Sequence, residues 1–191
     1  MMDLQEAALL THGTAVGGNV AFTSVSTDSR AIQSGQLFVA LRGDRFDAHD
    51  FVAHVASQGA AAAMVDRAWA AANPVPLPLI VVEDTRLGLG QLAAGWRKRF
   101  ELPLVGITGS NGKTSVKTLL AGILERVGAT HVNAGNLNNE IGLPISLLRL
   151  ADDARFAVLE MGAGKPGDID YLARIALEGL TVANLVRVRL V

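Results

Sequence analysis

Short apolar runs alternate with segments of helical periodicity along most of this 191-residue chain. Runs that suit buried parallel strands occupy positions 37–41, 62–65, 79–82, 104–107 and 156–159. Less regular patterns predict further strands at 20–25 and 130–133. Apolar strands separated by helices indicate a parallel sheet covered on both faces, so the sequence predicts an α/β protein.

Helices are predicted at 3–11, 50–57, 85–100, 116–127 and 168–176, and in a segment that ends at residue 150. In the helix after residue 115, the apolar positions follow the spacing i, i+3, i+4, i+7, which predicts one buried face. Those positions are Val116, Leu119, Leu120, Ile123, Leu124 and Val127. In the helix at 50–57, the residues expected to point inward are Phe51, Val52 and Val55.

The pattern changes at residues 101–103, where a short segment containing proline follows a long helix. We therefore place a first domain at residues 1–84, a connecting helix at 85–102 and a second domain at 103–191.

Composition narrows the classes of function without selecting one. The net charge is −1 and no basic block is present, so neither nucleic acid nor an anionic membrane surface is an expected partner. No apolar run has the length of a bilayer span and the opening residues lack the basic start of a signal peptide, which predicts a cytoplasmic protein without membrane insertion. The absence of cysteine excludes disulfides and thiolate metal sites, and the four histidines are scattered.

The segment 106–115 is typical of a phosphate-binding loop between a strand and a helix. Glycines let consecutive backbone N–H groups converge on phosphate oxygens, Lys113 adds a positive charge, and Thr114 offers a hydroxyl to Mg²⁺. Ile107 departs from the usual pattern G-x-x-x-x-G-K-[ST], which has glycine at that position. The predicted nucleotide-binding residues are Gly109, Ser110, Asn111, Gly112, Lys113, Thr114 and Ser115. The alternative is a glycine-rich structural turn.

Glu160 directly follows the apolar run 156–159, at the carboxyl end of a predicted parallel strand. Open α/β sheets bind their ligands at that edge. A carboxylate there can hold the Mg²⁺ that bridges nucleotide phosphates, so Thr114 and Glu160 are the predicted metal ligands. The alternative is a surface glutamate at the end of a strand.

Several segments together resemble the Mur ligases of peptidoglycan synthesis. In the second domain these segments are 109–115, 135–144 and 159–163. In the first domain, residues 27–30, 35–41 and 43–51 resemble the family's N-terminal UDP-binding domain. The asparagine-rich run within 135–144 favours the member that adds D-Ala-D-Ala over the neighbouring MurE ligase.

The resemblance implies a small N-terminal α/β domain for a UDP-sugar and a partial P-loop-type, parallel-sheet domain for ATP and Mg²⁺. ATP would phosphorylate the terminal carboxylate of UDP-MurNAc-tripeptide, and the amine of D-Ala-D-Ala would then attack the acyl phosphate. Lys113 is expected to hold the β and γ phosphates, and Asn138 or Asn139 to face the reacting centre. The residues expected to bind the UDP-sugar are Ser29, Arg30, Asp44, Arg45 and Phe46, for which turn chemistry is the alternative.

After about residue 176 the sequence departs from the family pattern, apart from a strand-like run at 182–186. The resemblance therefore implies an incomplete central domain and no C-terminal domain, and we expect the chain as given to lack ligase activity. An open sheet edge would favour self-association.

Two other functions stay open. One is another ATP-dependent carboxylate-amine ligase, of the MurE or folylpolyglutamate synthase type, although the long segment ahead of the phosphate loop disfavours the folate type. The other is a nucleotide-binding module without catalysis.

Overall fold

The structure is a computed structural model that describes residues 1–43, 46–177 and 183–188. It contains two compact units, Met1–Leu92 and Ala93–Val191, and the chain passes from one to the other within the helix at Thr85–Arg97. The domain limits 1–84, 85–102 and 103–191 stay a prediction. Among the described residues, no helix is both long and apolar enough to span a membrane.

The first unit is a mixed sheet with helices packed on it. Its strands are β1 (Met2–Asp3), β2 (Thr14–Val16), β3 (Ala21–Phe22), β4 (Val25–Ser26), β5 (Leu37–Val39), β6 (Ala62–Asp66) and β7 (Leu79–Val82). Its helices are α1 (Leu4–Leu10), a 3-10 turn at Ala48–Phe51, α2 (Val52–Ser57), α3 (Arg67–Ala72) and the start of α4 (Thr85–Arg97). Strands β4, β5, β6 and β7 are parallel neighbours in that order, β2 pairs antiparallel with β7, and β1 pairs with β3.

The central strands of this sheet are apolar because both of their faces are covered. Every residue of β5 and of β6 is buried. The last residue of β6, Asp66, also begins α3, since its carboxylate accepts a hydrogen bond from the Trp69 N–H. Because β4, β5, β6 and β7 run parallel, the loops that follow them all leave from one edge of the sheet.

The second unit is a parallel sheet with helices between its strands. Its strands are β8 (Leu104–Gly109), β9 (Thr130–Val132), β10 (Phe156–Glu160) and β11 (Ala183–Val188), and its helices are α5 (Lys113–Leu124), α6 (Gly142–Leu147) and α7 (Asp168–Leu177). All the strand pairs are parallel, in the order β11-β8-β10-β9. Glu160 lies opposite Ile107 in the register of β10 and β8, so the end of β10 lies beside the phosphate loop. The predicted α/β fold is confirmed.

Helix α5 covers only part of the face that its apolar spacing predicts to be buried. Leu119, Ile123 and Val127 are between 58% and 69% exposed, whereas Lys117 and Ala121 are buried. Val116, Leu120 and Leu124 are half-buried on the side that carries Lys117. The predicted buried face was therefore wrong for Leu119, Ile123 and Val127 only.

Other predicted elements differ in extent. The strand expected at 20–25 is two short strands, β3 and β4. Phe51, expected to point inward, is 44% exposed. It ends a 3-10 turn, and three residues per turn shift the buried face relative to the 3.6 of an α-helix. The helix expected to reach residue 150 ends at Leu147.

Candidate functional site

The phosphate loop lies at the carboxyl end of β8, between β10 and β11 in the sheet. Gly109 has φ 146° and Gly112 has φ 75°, values that residues with side chains avoid. These two glycines turn the chain from β8 into α5. Ile107 is fully buried within β8, so the departure from the usual glycine pattern places an apolar side chain in the core rather than in the loop.

The loop is open to solvent, and its lysine is folded back on it. Ser110, Asn111, Thr114 and Ser115 are exposed. Lys113 Nζ donates a hydrogen bond to the Gly109 carbonyl at 2.8 Å. The residue before α5 is Gly112, which has no side chain to cap the first N–H groups of the helix. Uncapped N–H groups beside an ammonium group stabilise an anion at a helix N-terminus.

Glu160 ends β10 beside this loop and is 4% exposed. Its Oε2 accepts a hydrogen bond from Thr114 Oγ1 at 2.8 Å, and its Oε1 accepts one from Asn138 Nδ2 at 2.8 Å. Burial by itself raises the pKa of Glu160, but these hydrogen bonds and the charges of Lys117 and Lys113 outweigh burial and lower the pKa below its usual value. The carboxylate is therefore ionised at neutral pH, and its burial excludes the alternative of a surface glutamate.

The two candidate asparagines have different surroundings. The Asn138 carboxamide points at Glu160, and the Asn138 carbonyl accepts a hydrogen bond from the Gly162 N–H. The Asn139 side chain instead accepts hydrogen bonds from the N–H groups two and three residues ahead, at the start of α6. Asparagine in such a position stabilises a helix N-terminus. The geometry favours Asn138 as the residue beside a reacting centre.

The oxygen atoms of Thr114 and Glu160 fit Mg²⁺ in type, because this ion prefers oxygen ligands, including carboxylates and water. The two side chains are 2.8 Å apart, so one ion can contact both after the hydrogen bond between them opens. No group of three or more His, Cys, Asp or Glu within residues 1–43, 46–177 and 183–188 could hold a metal by itself. A metal at this place would therefore share its coordination with phosphate oxygens and water.

Sequence reasoning missed two residues that the structure brings to this site, Lys117 and Asn133. Lys117 Nζ lies 3.6 Å from Glu160 Oε2, and the Asn133 carboxamide bonds both backbone groups of Glu160. Lys117 follows Lys113 by four residues, and this spacing places both on one face of a helix. That signal was present in the sequence, whereas nothing in the sequence pairs Asn133 with Glu160.

The candidate UDP-sugar residues follow two neighbouring strands of the first unit. Ser29 and Arg30 come after β4, and Phe46 comes after β5. Because β4 and β5 are parallel neighbours, both loops leave the same edge of the sheet. The Arg30 side chain is 88% exposed and bonds both carboxylate oxygens of Asp28, while Phe46 is 62% exposed. Asp44 and Arg45 lie outside the described residues.

A buried histidine contacts the end of β6 at this edge. His49 is 1% exposed, its Nε2 accepts a hydrogen bond from the Asp66 N–H at 3.0 Å, and its Nδ1 contacts Asp47 Oδ1. A backbone N–H can only donate, so Nε2 is the acceptor for Asp66 and Nδ1 is the ring nitrogen that faces Asp47. Arg42 forms ion pairs with both Asp47 and Asp66. The network ties Arg42 and Asp47 to the end of β6.

Two family profiles together match most of the chain. The profile described as "Mur ligase middle domain" matches residues 107–186, and the profile described as "Mur ligase family, catalytic domain" matches residues 21–97. The chain belongs to the Mur ligase family. The resemblance seen in its motifs is therefore confirmed.

Named relatives of this Mur ligase chain point to one member of the family. The UDP-N-acetylmuramoyl-tripeptide-D-alanyl-D-alanine ligase of Escherichia coli is 42% identical over 181 residues, which are 95% of this chain and 39% of the relative. MurF from Acinetobacter baumannii has a TM-score of 0.84 at 38% identity, over 96% of this chain and 40% of that one. MurF from Thermotoga maritima, solved in complex with ADP, has a TM-score of 0.73 at 35% identity, over 85% and 37%.

This Mur ligase chain spans about two fifths of the length of these relatives. They carry the name of the D-Ala-D-Ala ligase, so the alternatives of a MurE or folylpolyglutamate synthase type are not favoured.

Proposed function

We propose that this chain carries the ATP-binding and UDP-sugar-binding parts of a cytoplasmic ligase that joins D-Ala-D-Ala to UDP-MurNAc-tripeptide. The observation that carries the proposal is the contact between Thr114 and Glu160, a loop hydroxyl and a buried carboxylate 2.8 Å apart. The pair lies at the carboxyl edge of a parallel sheet, where open α/β proteins bind nucleotides. The names of the relatives support the choice of substrates.

The proposed reaction has two steps. A carboxylate oxygen of the tripeptide attacks the γ-phosphorus of ATP, the bond to ADP breaks, and an acyl phosphate forms. The amine of D-Ala-D-Ala then attacks the acyl carbon and loses a proton, and phosphate leaves as the amide forms. Both steps require aligned reactants and neutralised phosphate charge.

The residues at the phosphate loop have distinct proposed roles. When ATP binds, Lys113 Nζ leaves the Gly109 carbonyl and donates to the β and γ phosphates instead. The reason is that a hydrogen bond to a charged partner is stronger than one to a neutral partner. The backbone N–H groups of residues 109–115 hold the remaining phosphate oxygens. Thr114 and Glu160 would hold Mg²⁺, which supplies positive charge to the phosphates. Asn138 lies beside this pair and faces the reacting centre.

The UDP-sugar is assigned to the edge of the first unit. The Arg30 guanidinium is exposed and suits a diphosphate, and the exposed ring of Phe46 suits a flat base. Ser29, Asp44 and Arg45 complete the proposed set.

Titration calorimetry of the 191-residue chain with ATP and Mg²⁺ tests the nucleotide site. Lys113→Ala is expected to lower the affinity about 100-fold, because the phosphates lose their charged hydrogen-bond donor. The matched control is Lys98→Ala, which removes an exposed lysine elsewhere in the same unit and is expected to leave the affinity unchanged. Unchanged binding in Lys113→Ala would reject the pocket assignment.

Adding UDP-MurNAc-tripeptide, D-Ala-D-Ala, ATP and Mg²⁺ tests the complete reaction. A product with the new amide bond would show that these 191 residues suffice, and the expectation of inactivity would then be wrong. ATP binding without product would support the nucleotide site, and ligation would then require more than these 191 residues.

A further inference from the structure

We propose that Lys117 and Asn133 form a positioning pair that holds Glu160 and the asparagine loop, residues 136–140, in place for a nucleotide bound with Mg²⁺. The inference rests on the proposed function and deepens it, because it concerns how the same site is built. Its evidence is the set of contacts that the two residues make behind the phosphate loop.

Lys117 lies on the buried side of α5, four residues after Lys113. Its side chain is 8% exposed, and Nζ donates to the Asn133 carbonyl at 2.9 Å and lies 3.6 Å from Glu160 Oε2. Burying an ammonium group costs free energy unless charged and hydrogen-bonding partners surround it. The partners of Lys117 are the Asn133 carbonyl and the Glu160 carboxylate, so its charge compensates the buried charge of Glu160.

The Asn133 side chain continues the pairing of β9 with β10 beyond the last backbone partners, Val132 and Val158. Asn133 Nδ2 donates to the Glu160 carbonyl at 2.9 Å, and Oδ1 accepts from the Glu160 N–H at 2.9 Å. Nδ2 also donates to the Leu137 carbonyl at 2.8 Å. One carboxamide therefore ties the end of β10 to the asparagine loop.

The pair holds Glu160 from two directions. Asn133 bonds its backbone, and Lys117 reaches its carboxylate. Leu137 is the neighbour of Asn138, so the bond from Asn133 to Leu137 also sets where Asn138 meets Glu160. Ligating groups that are held by surrounding contacts reorganise less when a ligand arrives. The pair thus pre-organises Glu160 for metal-dependent nucleotide binding.

Titration with ADP separates this role from general stability. The affinity is measured once with Mg²⁺ and once with EDTA, and the ratio of the two affinities gives the magnesium dependence. Lys117→Met keeps a long apolar stem and removes the charge, and Asn133→Ala removes the carboxamide. Each change is expected to reduce the ratio about tenfold and to alter the affinity in EDTA by less than about twofold.

Lys98→Met is the matched control, because it removes an exposed lysine of the same unit and is expected to leave the ratio unchanged. A purely structural role would lower thermal stability and both affinities together, which would overturn the inference. An unchanged ratio in folded Lys117→Met would also overturn it. A wild-type chain that binds no ADP in either buffer would instead defeat the proposed function itself.

Hydrogen exchange of the unmodified chain tests the pair without any variant. The Glu160 N–H donates to Asn133 and the Gly162 N–H donates to Asn138, so both amides should exchange slowly in the ligand-free protein. Rapid exchange at both amides would overturn the inference even where a variant fails to fold. In folded Asn133→Ala, the Glu160 amide is expected to lose its protection.

Discussion

The two units carry candidate sites of opposite character at the same kind of position, the carboxyl edge of a parallel sheet. In the second unit, Glu160 is 4% exposed and both of its carboxylate oxygens accept hydrogen bonds. In the first unit, the Arg30 side chain is 88% exposed and its ion pair is with Asp28. One edge is ordered before a ligand arrives, whereas the other presents side chains that can reorient around a ligand.

The difference follows from sequence separation. Glu160 contacts Thr114, 46 positions away, and Asn138, 22 positions away, whereas Arg30 contacts Asp28 only two positions away. Contacts that are distant in sequence form only when the whole unit is folded, and they then restrict the geometry strongly. The first unit also has distant contacts at its edge, from Asp66 to His49 and from Arg42 to Asp66. These contacts do not include the candidate residues Arg30 and Phe46, which are exposed, whereas the contacts in the second unit include Glu160 itself.

The largest expected effect comes from Gly142→Ala, which should break the ordered site. A Cβ at Gly142 would lie 2.5 Å from Cα and 2.8 Å from the carbonyl carbon of Leu137, and these backbone atoms cannot rotate away. The asparagine loop must therefore shift. We expect the free energy of unfolding to fall by about 3 kcal/mol and the magnesium dependence of ADP binding to be lost. Urea unfolding and ADP titration measure the two effects.

The matched control is Gly122→Ala in α5, where nothing lies within 4 Å of an added Cβ. It is expected to raise the free energy of unfolding by about 0.5–1 kcal/mol, because alanine favours the helix more than glycine does. A Gly142→Ala protein as stable as wild type would contradict the ordered asparagine loop.

A smaller effect is expected from His49→Ala, which probes the buried network of the first unit. The change leaves the Asp66 N–H and the Asp47 carboxylate without their ring partner. Asp47 keeps its ion pair with Arg42, but the buried Asp66 N–H loses its acceptor and the ring leaves a cavity, so the free energy of unfolding is expected to fall by about 2 kcal/mol, which urea unfolding measures. His54→Ala is the control, since His54 is exposed on α2 and its loss should change stability by less than about 0.5 kcal/mol. Equal effects at the two histidines would mean that order in the first unit does not depend on this network.

Structural features that depend on residues adjacent in the sequence were predicted well. The phosphate loop is a contiguous segment whose glycines are required by its own turn, so its residues and its place between β8 and α5 could be identified directly. The proximity of Thr114 and Glu160 was predicted through a rule of sheet topology rather than through spacing. That rule places the ends of neighbouring parallel strands together without knowledge of any side chain.

The contacts that order the site were beyond sequence reasoning. The choice between Asn138 and Asn139 depends on which side chain caps α6, and neighbouring identical residues give no sign of it. The buried face of α5 was predicted only in part, because hydrophobic spacing takes no account of a buried Lys117 paired with a distant carboxylate. Asn133 gave no local signal that pairs it with Glu160, since its two side-chain hydrogen bonds to Glu160 depend on the alignment of β9 with β10.

The smallest expected effect lies at the exposed edge of the first unit. Hydrogen bonds from the Arg30 side chain and backbone lower the pKa of Asp28 from 3.8 to about 2. Because the pKa is lowered in the folded state, any stability from this pair is complete above about pH 4 and is lost as the pH falls toward 2. Arg30→Ala is expected to raise the pKa of Asp28 toward its usual value, with little change in stability at neutral pH because the pair is exposed.

Titration of the Asp28 carboxyl signal by NMR measures this change. Arg67→Ala is the control, because it breaks an exposed ion pair with Glu83 elsewhere in the same unit and should leave the pKa of Asp28 unchanged. An ordinary pKa for Asp28 in the wild-type chain would show that the pair with Arg30 does not form in solution. The Arg30 guanidinium would then be free for a diphosphate before any ligand arrives, and the contrast with the fully bonded Glu160 would be sharper still.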